Sequence, residues 1–415
     1  MNNEFKQKLQ EREFPALKDR QRVILKWATG CGKSKMVIDL INHAADSFKD
    51  KPVKVLFLVA ERAHIKNWED EFSKWQLQRG KISTDVACYA SLKKYYLYDI
   101  YDIIVLDEAH HIFTDKRMGM LKEMEAPERT PANQRVYLLS ATLSSGKQDM
   151  AEEIFGKFTV STVTLKDAIK QDILPDPRVY VVGMELDNTR RFQEIKIGND
   201  PNAPVIKWED RNKYLYKNLP CIIQCTEFQK NLYYTNAMEY WKQRYDRSKS
   251  EFMHNKWVNL GSQRKRFLGE LKTGAVRQLV NILKRRRYVC FCASVAQAES
   301  LSKTNTISSK RPQKLNQMII DAFNKKQLSN IFAVGMITEG MNLTDIQIGI
   351  ITQLDGKERL FIQKAGRVMR ADDPIAFIFY YKNTQDENYL KGALENIDEK
   401  YVKHITIDEL NTIKL

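Results

Sequence analysis

The chain has 415 residues, 43% hydrophobic and 29% charged, a globular balance on a chain too long for one small core, so two or three domains are expected. No apolar run approaches the ~20 residues of a membrane span, and the first residues, MNNEFKQKLQEREF, are too polar for a secretory signal; an intracellular protein with no membrane role is expected. Sixty-seven Lys and Arg against 52 acids leave a net charge of +15, which favours a polyanionic partner, nucleic acid above all.

In the first half, short apolar runs alternate with helical stretches, the pattern of a parallel sheet covered by helices. Strands are expected at Arg22–Lys26, Val53–Val59, Asp102–Leu106 and Arg135–Leu139. After the first comes Trp27-Ala28-Thr29-Gly30-Cys31-Gly32-Lys33-Ser34, and then Ser34–Phe48, where Val37, Ile38, Leu40, Ile41 and Ala44 recur at helical spacing. Strand, glycine-rich turn and helix start form a phosphate-binding context. Gly30 and Gly32 let backbone N–H groups turn inward, and the helix N-terminus adds partial positive charge. Lys33 can reach β- and γ-phosphates, and the Ser34 hydroxyl can ligate Mg²⁺. Trp27 departs from the small residue that usually opens such a loop.

The run VLFLVAERAHIKNWEDEFSKW over 55–75 reads as a strand leading into a helix, with Trp68, Phe72 and Trp75 expected on its core face. The third strand ends in Asp107-Glu108-Ala109-His110. A carboxylate at the end of a strand neighbouring the phosphate loop suits Mg²⁺, and a second beside it suits activation of the attacking water; Asp107 fits the first role and Glu108 the second. Ser140-Ala141-Thr142 forms a small hydroxyl turn after the fourth strand. A helix-like segment then leads to LPDPR, where two prolines in three residues make an extended crossing, so a domain boundary is expected at 172/173.

The second half opens with a strand at Val179–Val182. A long, aromatic, basic and largely helical region at about 188–285 is expected to be an insertion. Strand-and-helix alternation resumes at Tyr288–Cys292, Ile331–Val334, Ile346–Thr352 and Ala376–Tyr381, and 386–415 reads as a helix with a tail. From Lys242 to Arg287 there are fourteen Lys or Arg against three acids, interleaved with Tyr245, Phe252, Trp257 and Phe267, an arrangement able to grip phosphates and bases. Arg264, Lys265 and Arg266 are the run expected to contact phosphates. Phe361–Arg370 reads FIQKAGRVMR; its arginines at 367 and 370 lie three apart, so on a helix they face one way, as a pair reaching a γ-phosphate across a cleft must. Six cysteines invite a four-thiolate site from Cys221, Cys225, Cys290 and Cys292, but CxxxC and CxC are not zinc-module spacings, and reduced thiols are expected.

In order, ATGCGKS, the 55–75 run, DEAH, SAT, YVCFCAS at 288–294, MITEGMNL at 336–343 and QKAGRVMR resemble motifs I, Ia, II, III, IV, V and VI of helicase superfamily 2, most like its restriction-type (Res-like) members. The resemblance spans 22–370. It implies an α/β fold of two tandem RecA-like domains, at 1–172 and 173–385, hydrolysing ATP with Mg²⁺ at their interface. It implies Gln363, Arg367 and Arg370 as γ-phosphate groups and Gly340 as a nucleotide contact. It further implies His110, Ser140 and Thr142 as the link from nucleotide to nucleic acid, and Arg62 on a DNA backbone. Two departures stand out. Asn342 replaces the acid common in motif V, and no segment ahead of the first strand is evident as an adenine reader. The expectation is a monomeric ATP-dependent DNA helicase or translocase on double-stranded or branched DNA. An RNA helicase or RNP remodeller, and an ATP-switched nucleic-acid-binding subunit that does not translocate, are the alternatives.

Overall fold

The structure, a computed structural model, describes residues 3–48, 52–94, 100–114, 117–119, 121, 133–284, 286–335, 343–354, 371, 373–395 and 397–413. Helix α1 (Asn3–Leu17) leads into β1 (Arg22–Trp27), α2 (Lys33–Ser47), β2 (Val53–Val59), α3 (Ala63–Lys74), β3 (Ile82–Cys88), β4 (Ile103–Asp107), β5 (Arg135–Leu139), α4 (Ser145–Phe155) and β6 (Thr159–Val163). The six strands form one sheet in the order β3-β2-β4-β5-β1-β6, and every pair in it is parallel. Side chains alternate across its strands, so Ile24, Leu56, Leu58, Ile104 and Leu138 pack on one face and Val23, Leu25, Phe57, Val105 and Tyr137 on the other. A parallel sheet buried on both faces needs apolar residues at nearly every position, which is why these strands read as continuous hydrophobic runs.

The second sheet starts at β7 (Arg178–Met184). The region after it is less uniformly helical than its composition suggests. It contains a small mixed sheet of β8 (Gln193–Ile197), β9 (Val205–Lys207) and β10 (Cys221–Cys225), in which β10 pairs antiparallel with β8 and parallel with β9. Two long helices follow, α5 (Glu227–Ser248) and α6 (Glu251–Leu271), then α7 (Thr273–Leu283). Helix α5 is opened by Thr226, whose hydroxyl accepts from Gln229 N while the Gln229 side chain accepts from Thr226 N. Val276, Leu279 and Leu283 of α7 pack on the second sheet.

That sheet is completed by β11 (Tyr288–Phe291), β12 (Thr306–Ser308), β13 (Asn330–Val334), β14 (Ile348–Ile351), β15 (Ile375–Tyr381) and β16 (Val402–Ile405), in the order β12-β13-β11-β14-β15-β7-β16, again all parallel. The expected C-terminal helix is α8 (Gln385–Leu394), but the tail is a correction to the sequence reading: Val402–Ile405 adds an edge strand beside β7. The molecule is thus an α/β protein with two parallel-sheet domains and a helical insertion in the second. No described helix is long and apolar enough to cross a membrane. All six cysteines are free and buried; Cys221 and Cys225 lie on β10 of the small sheet, whereas Cys290 and Cys292 belong to β11 and its end.

Candidate nucleotide site

Three expected motifs leave adjacent strands of the first sheet at one edge. Leu25 on β1 is in register with Leu139 on β5, and Leu139 with Asp107 on β4, so the loop after β1, the DEAH turn and the SAT turn emerge at one level. Ligands of parallel α/β sheets sit beyond the carboxyl ends of the strands. Here a cavity of about 1310 Å³ is lined by Thr29, Gly30, Gly32, Lys33, Ser34, Asp107 and Glu108, together with side chains of α1, α2 and α3.

The loop takes its shape from its glycines. Gly30 and Gly32 have φ of 95° and 92°, conformations that a Cβ would strain, and a Cβ on Gly32 would lie 2.7 Å from the Gln10 amide nitrogen. Lys33 opens α2 and its ammonium donates to Trp27 O at 2.9 Å, folded back on the loop. Trp27, the residue out of pattern, does not line the cavity. It is fully buried and its Nε1 donates to Ser161 Oγ at 2.7 Å, whose hydroxyl in turn donates to Glu13. Ala28 and Cys31 are buried behind the loop. Burial pushes the Cys31 thiol up to about 11, against the opposing pull of Lys33.

Asp107 ends β4 with both carboxylate oxygens engaged. Oδ1 accepts from Glu108 N at 3.0 Å, and Oδ2 from Trp68 Nε1 at 2.9 Å. Trp68 and Phe72 are buried as expected, packed tilted and edge-on against Phe57, while Trp75 is only partly covered. The Tyr89 hydroxyl donates to Asp107 O at 2.6 Å; burial first, then the Asp107 and Glu108 charges, push its pKa well up, so it stays a donor. Glu108 sits at φ 46°, ψ 50°, a left-handed conformation that costs a non-glycine residue about 1 kcal/mol or more and turns its carboxylate away from the strand direction. His110, 1% exposed, has Nδ1 3.1 Å from Ser140 Oγ and 3.4 Å from Glu108 Oε2, and Ser140 Oγ also accepts from Thr142 N at 3.2 Å. Glu108, His110, Ser140 and Thr142 are therefore one connected cluster. Lys147 closes it by donating to His110 O.

The geometry fits a nucleoside triphosphate with its metal: glycine conformations that leave room at the backbone, an ammonium beside the loop, and a hydroxyl and two carboxylates around one cavity. Gln10 adds a group the sequence reading missed. It lies on α1, is 5% exposed and donates to Gly32 O at 3.1 Å, while its Oε1 has no partner among the described residues and the side chain lines the same cavity. Its helix has no regular apolar face, so only the tertiary placement marks it.

Other expected residues fall elsewhere. Gln363, Arg367, Arg370 and Gly340 lie outside the described residues. Arg62 is exposed at the start of α3. The triad 264–266 does not form one cationic face. Arg264 is 7% exposed, with Nη1 on Thr235 Oγ1 at 3.2 Å, and leaves the set of phosphate contacts; Lys265 is partly covered and Arg266 exposed. Two further members of the basic stretch are tied up within the fold. Lys272 is fully buried against Asp386, and the Arg287 guanidinium donates to four carbonyls, those of Phe323, Leu328, Thr344 and Asp345.

Residues 1–87 match the family described as type III restriction enzyme, res subunit, and residues 271–372 match the helicase conserved C-terminal domain. No curated protein sequence matches the chain. Among solved structures it is similar to S. cerevisiae Dbp5 bound to RNA and ADP BeF3 (12% identity, TM-score 0.61), over 98% of this chain and 91% of that one. It is also similar to the Pyrococcus furiosus Hef helicase domain (14%, 0.51; 92% and 96%) and to the type ISP restriction-modification enzyme LlaBIII bound to DNA (13%, 0.55; 97% and 31%). At these identities the likeness establishes the fold, two tandem RecA-like domains.

Proposed function

We propose that the chain, whose residues 1–87 and 271–372 match helicase-family models, is a nucleic-acid-dependent motor of helicase superfamily 2 and, more finely, an ATP-driven DNA helicase or translocase. The observation that carries the proposal is that Lys33, Ser34, Asp107 and Glu108 all open onto one cavity at the carboxyl edge of the first sheet. In this reading Lys33 leaves Trp27 O to hold the β- and γ-phosphates, while the N–H groups of the glycine-rich loop cradle their oxygens. Ser34 and Asp107 would hold Mg²⁺, whose charge offsets that developing on the transferred phosphoryl group. Trp68 orients the Asp107 carboxylate. Glu108 takes the proton of the attacking water, and Arg367 and Arg370 stabilise the transition state from the second domain, with Gln363 sensing the γ-phosphate. Gln10 supplies an amide for the base. His110, Ser140 and Thr142, already tied to Glu108 by contact, relay the state of the nucleotide to the strand held by α3 at Arg62. Gly340 completes the nucleotide pocket.

The restriction-type match over 1–87 favours DNA. RNA is the second reading, since the likeness to RNA-bound Dbp5 covers nearly the whole chain. Glu108→Gln tests the chemistry: it retains nucleotide affinity and loses about 10²–10⁴ in turnover, and near-normal turnover would remove Glu108 from its role. ATPase rates across duplex, forked and single-stranded DNA and RNA separate the two substrates. A protein whose hydrolysis responds to none of them is a switch and not a motor.

A further inference from the structure

Helices α5 and α6 form an antiparallel arm whose outer part has no core. From Leu232 to Gln263 no residue is buried. At 1.5 Å per residue each helix is ~30 Å long, so the outer part is a two-helix projection held by one seam. Tyr245 and Trp257 stack across it with ring centres 6.2 Å apart, and His254 packs on Tyr245 at 5.0 Å. Those rings account for the arm's own cohesion. A second set is left half open to solvent. Tyr240 is 50% exposed and Phe252 60%, on opposite helices, bridged by Trp241, whose ring meets Tyr240 at 5.3 Å and Phe252 at 6.0 Å.

Each of these exposed rings carries a cation one helical turn along. The Arg244 guanidinium lies 4.7 Å from the Tyr240 centre and the Lys256 ammonium 5.5 Å from that of Phe252. Neither cation has a carboxylate partner among the described residues. Lys242, Arg247 and Lys249 extend the positive charge around the tip, where five cations stand against Asp246 and Glu251 between 240 and 256 and Asp246 lies 3.9 Å from Lys249. A surface meant only for solubility has no reason to expose two large rings, and an apolar partner would have no use for two uncompensated cations beside them. Flat apolar faces paired with cations fit bases that are out of a duplex, with their phosphates within reach of Arg244 and Lys256. Bases stacked inside a duplex offer no such faces.

We propose that the tip of this arm is a stacking site for an unpaired nucleic-acid strand, with Tyr240 and Phe252 as its platforms and Arg244 and Lys256 on the backbone. It rests on the reading of the chain as a nucleic-acid motor and moves the contact away from residues 264–266 to a surface some turns distant. On DNA the arm would hold the strand released at a junction; on RNA, a loop or single-stranded tail.

The test uses the full chain and fluorescent 20-mers of single-stranded DNA, single-stranded RNA and blunt duplex, titrated by anisotropy at several salt concentrations. Phe252→Ala and Tyr240→Ala should each weaken single-strand binding by about fivefold to a hundredfold, and Phe252→Trp should restore it. Duplex affinity, helical content and ATPase without nucleic acid should stay within twofold of the parent. Arg244→Gln and Lys256→Gln should each lower the log–log salt slope on a single strand by about 0.7. The single-strand arm that weakens more, DNA or RNA, identifies the strand held. Unchanged single-strand affinity in the double alanine variant overturns the proposal, as does an equal loss on duplex. A parent protein that binds none of the three probes overturns the motor reading itself, and the stacking site with it.

Discussion

Lys272 joins α6 to α7 and is fully buried; its ammonium lies 2.6 Å from Asp386 Oδ2 on α8 and 2.7 Å from Thr352 O, just beyond β14. Asp386, 3% exposed, also accepts from Tyr381 N at 3.2 Å. At 2.6 Å and an effective dielectric of ~20, the pair attracts by about 6 kcal/mol, which offsets the cost of removing both charges from water. Deleting one partner leaves the other charged and buried, so Asp386→Asn and Lys272→Met should each cost about 3–5 kcal/mol. The double variant Lys272→Met with Asp386→Leu should recover most of that loss, because an apolar pair of similar size carries no desolvation debt. In urea, with a slope of about 2 kcal/mol per molar, each single variant should unfold about 1.5–2.5 M earlier, and the double close to the parent. Acid–base behaviour gives an independent check. Burial draws the Lys272 pKa below its unfolded value, with Asp386 opposing. Between the folded and unfolded pKa values the unfolded chain binds more protons, so stability rises with pH there. Without Asp386 that window extends downward, and the Asp386→Asn deficit should shrink as pH climbs toward 10. Single variants within about 1 kcal/mol of the parent, or a double equal to the sum of the singles, would refute the reasoning.

Trp68→Phe keeps the packing on Phe57 and Phe72 but removes the donor to Asp107, and should raise the Mg²⁺ needed for half-maximal hydrolysis by about tenfold; an unaltered Mg²⁺ titration would show that the contact is only structural. With its thiol at about 11, Cys31 is roughly 0.1% thiolate at pH 8. It should therefore alkylate about a hundredfold more slowly than a thiol near 9, as peptide mass spectrometry would read. Arg367→Ala and Arg370→Ala should each depress hydrolysis by about 10³ or more, with both domains still folded by circular dichroism. Turnover within a few-fold of the parent in both would disprove a catalytic site shared between the domains.

What the chain declares in one dimension is whatever local chemistry decides. Apolar runs such as Val53–Val59 suit strands covered on both faces, and two glycines between β1 and α2 suit a turn of special backbone, so the inner strands of both sheets, the glycine-rich turn and the acidic strand end were legible. Edge strands were not. Ile82–Cys88 reads ISTDVAC and Val402–Ile405 reads VKHI, because a strand with one open side needs few apolar residues, and its pairing is a decision of the sheet. The glutamine at 10 is one polar residue among many until α1 folds against Gly32, 22 positions away. The basic stretch shows the limit most clearly. Counting charge from 242 to 287 suggests one cationic surface, yet Arg264 and Lys272 turn inward and Arg287 spends its donors on carbonyls, while Arg244 and Lys256 stay out on the arm. A cation's direction depends on the carbonyls and carboxylates that meet it. For Lys272 those belong to Thr352 and Asp386, 80 and 114 residues further on, and only the closed tertiary structure brings them to its side.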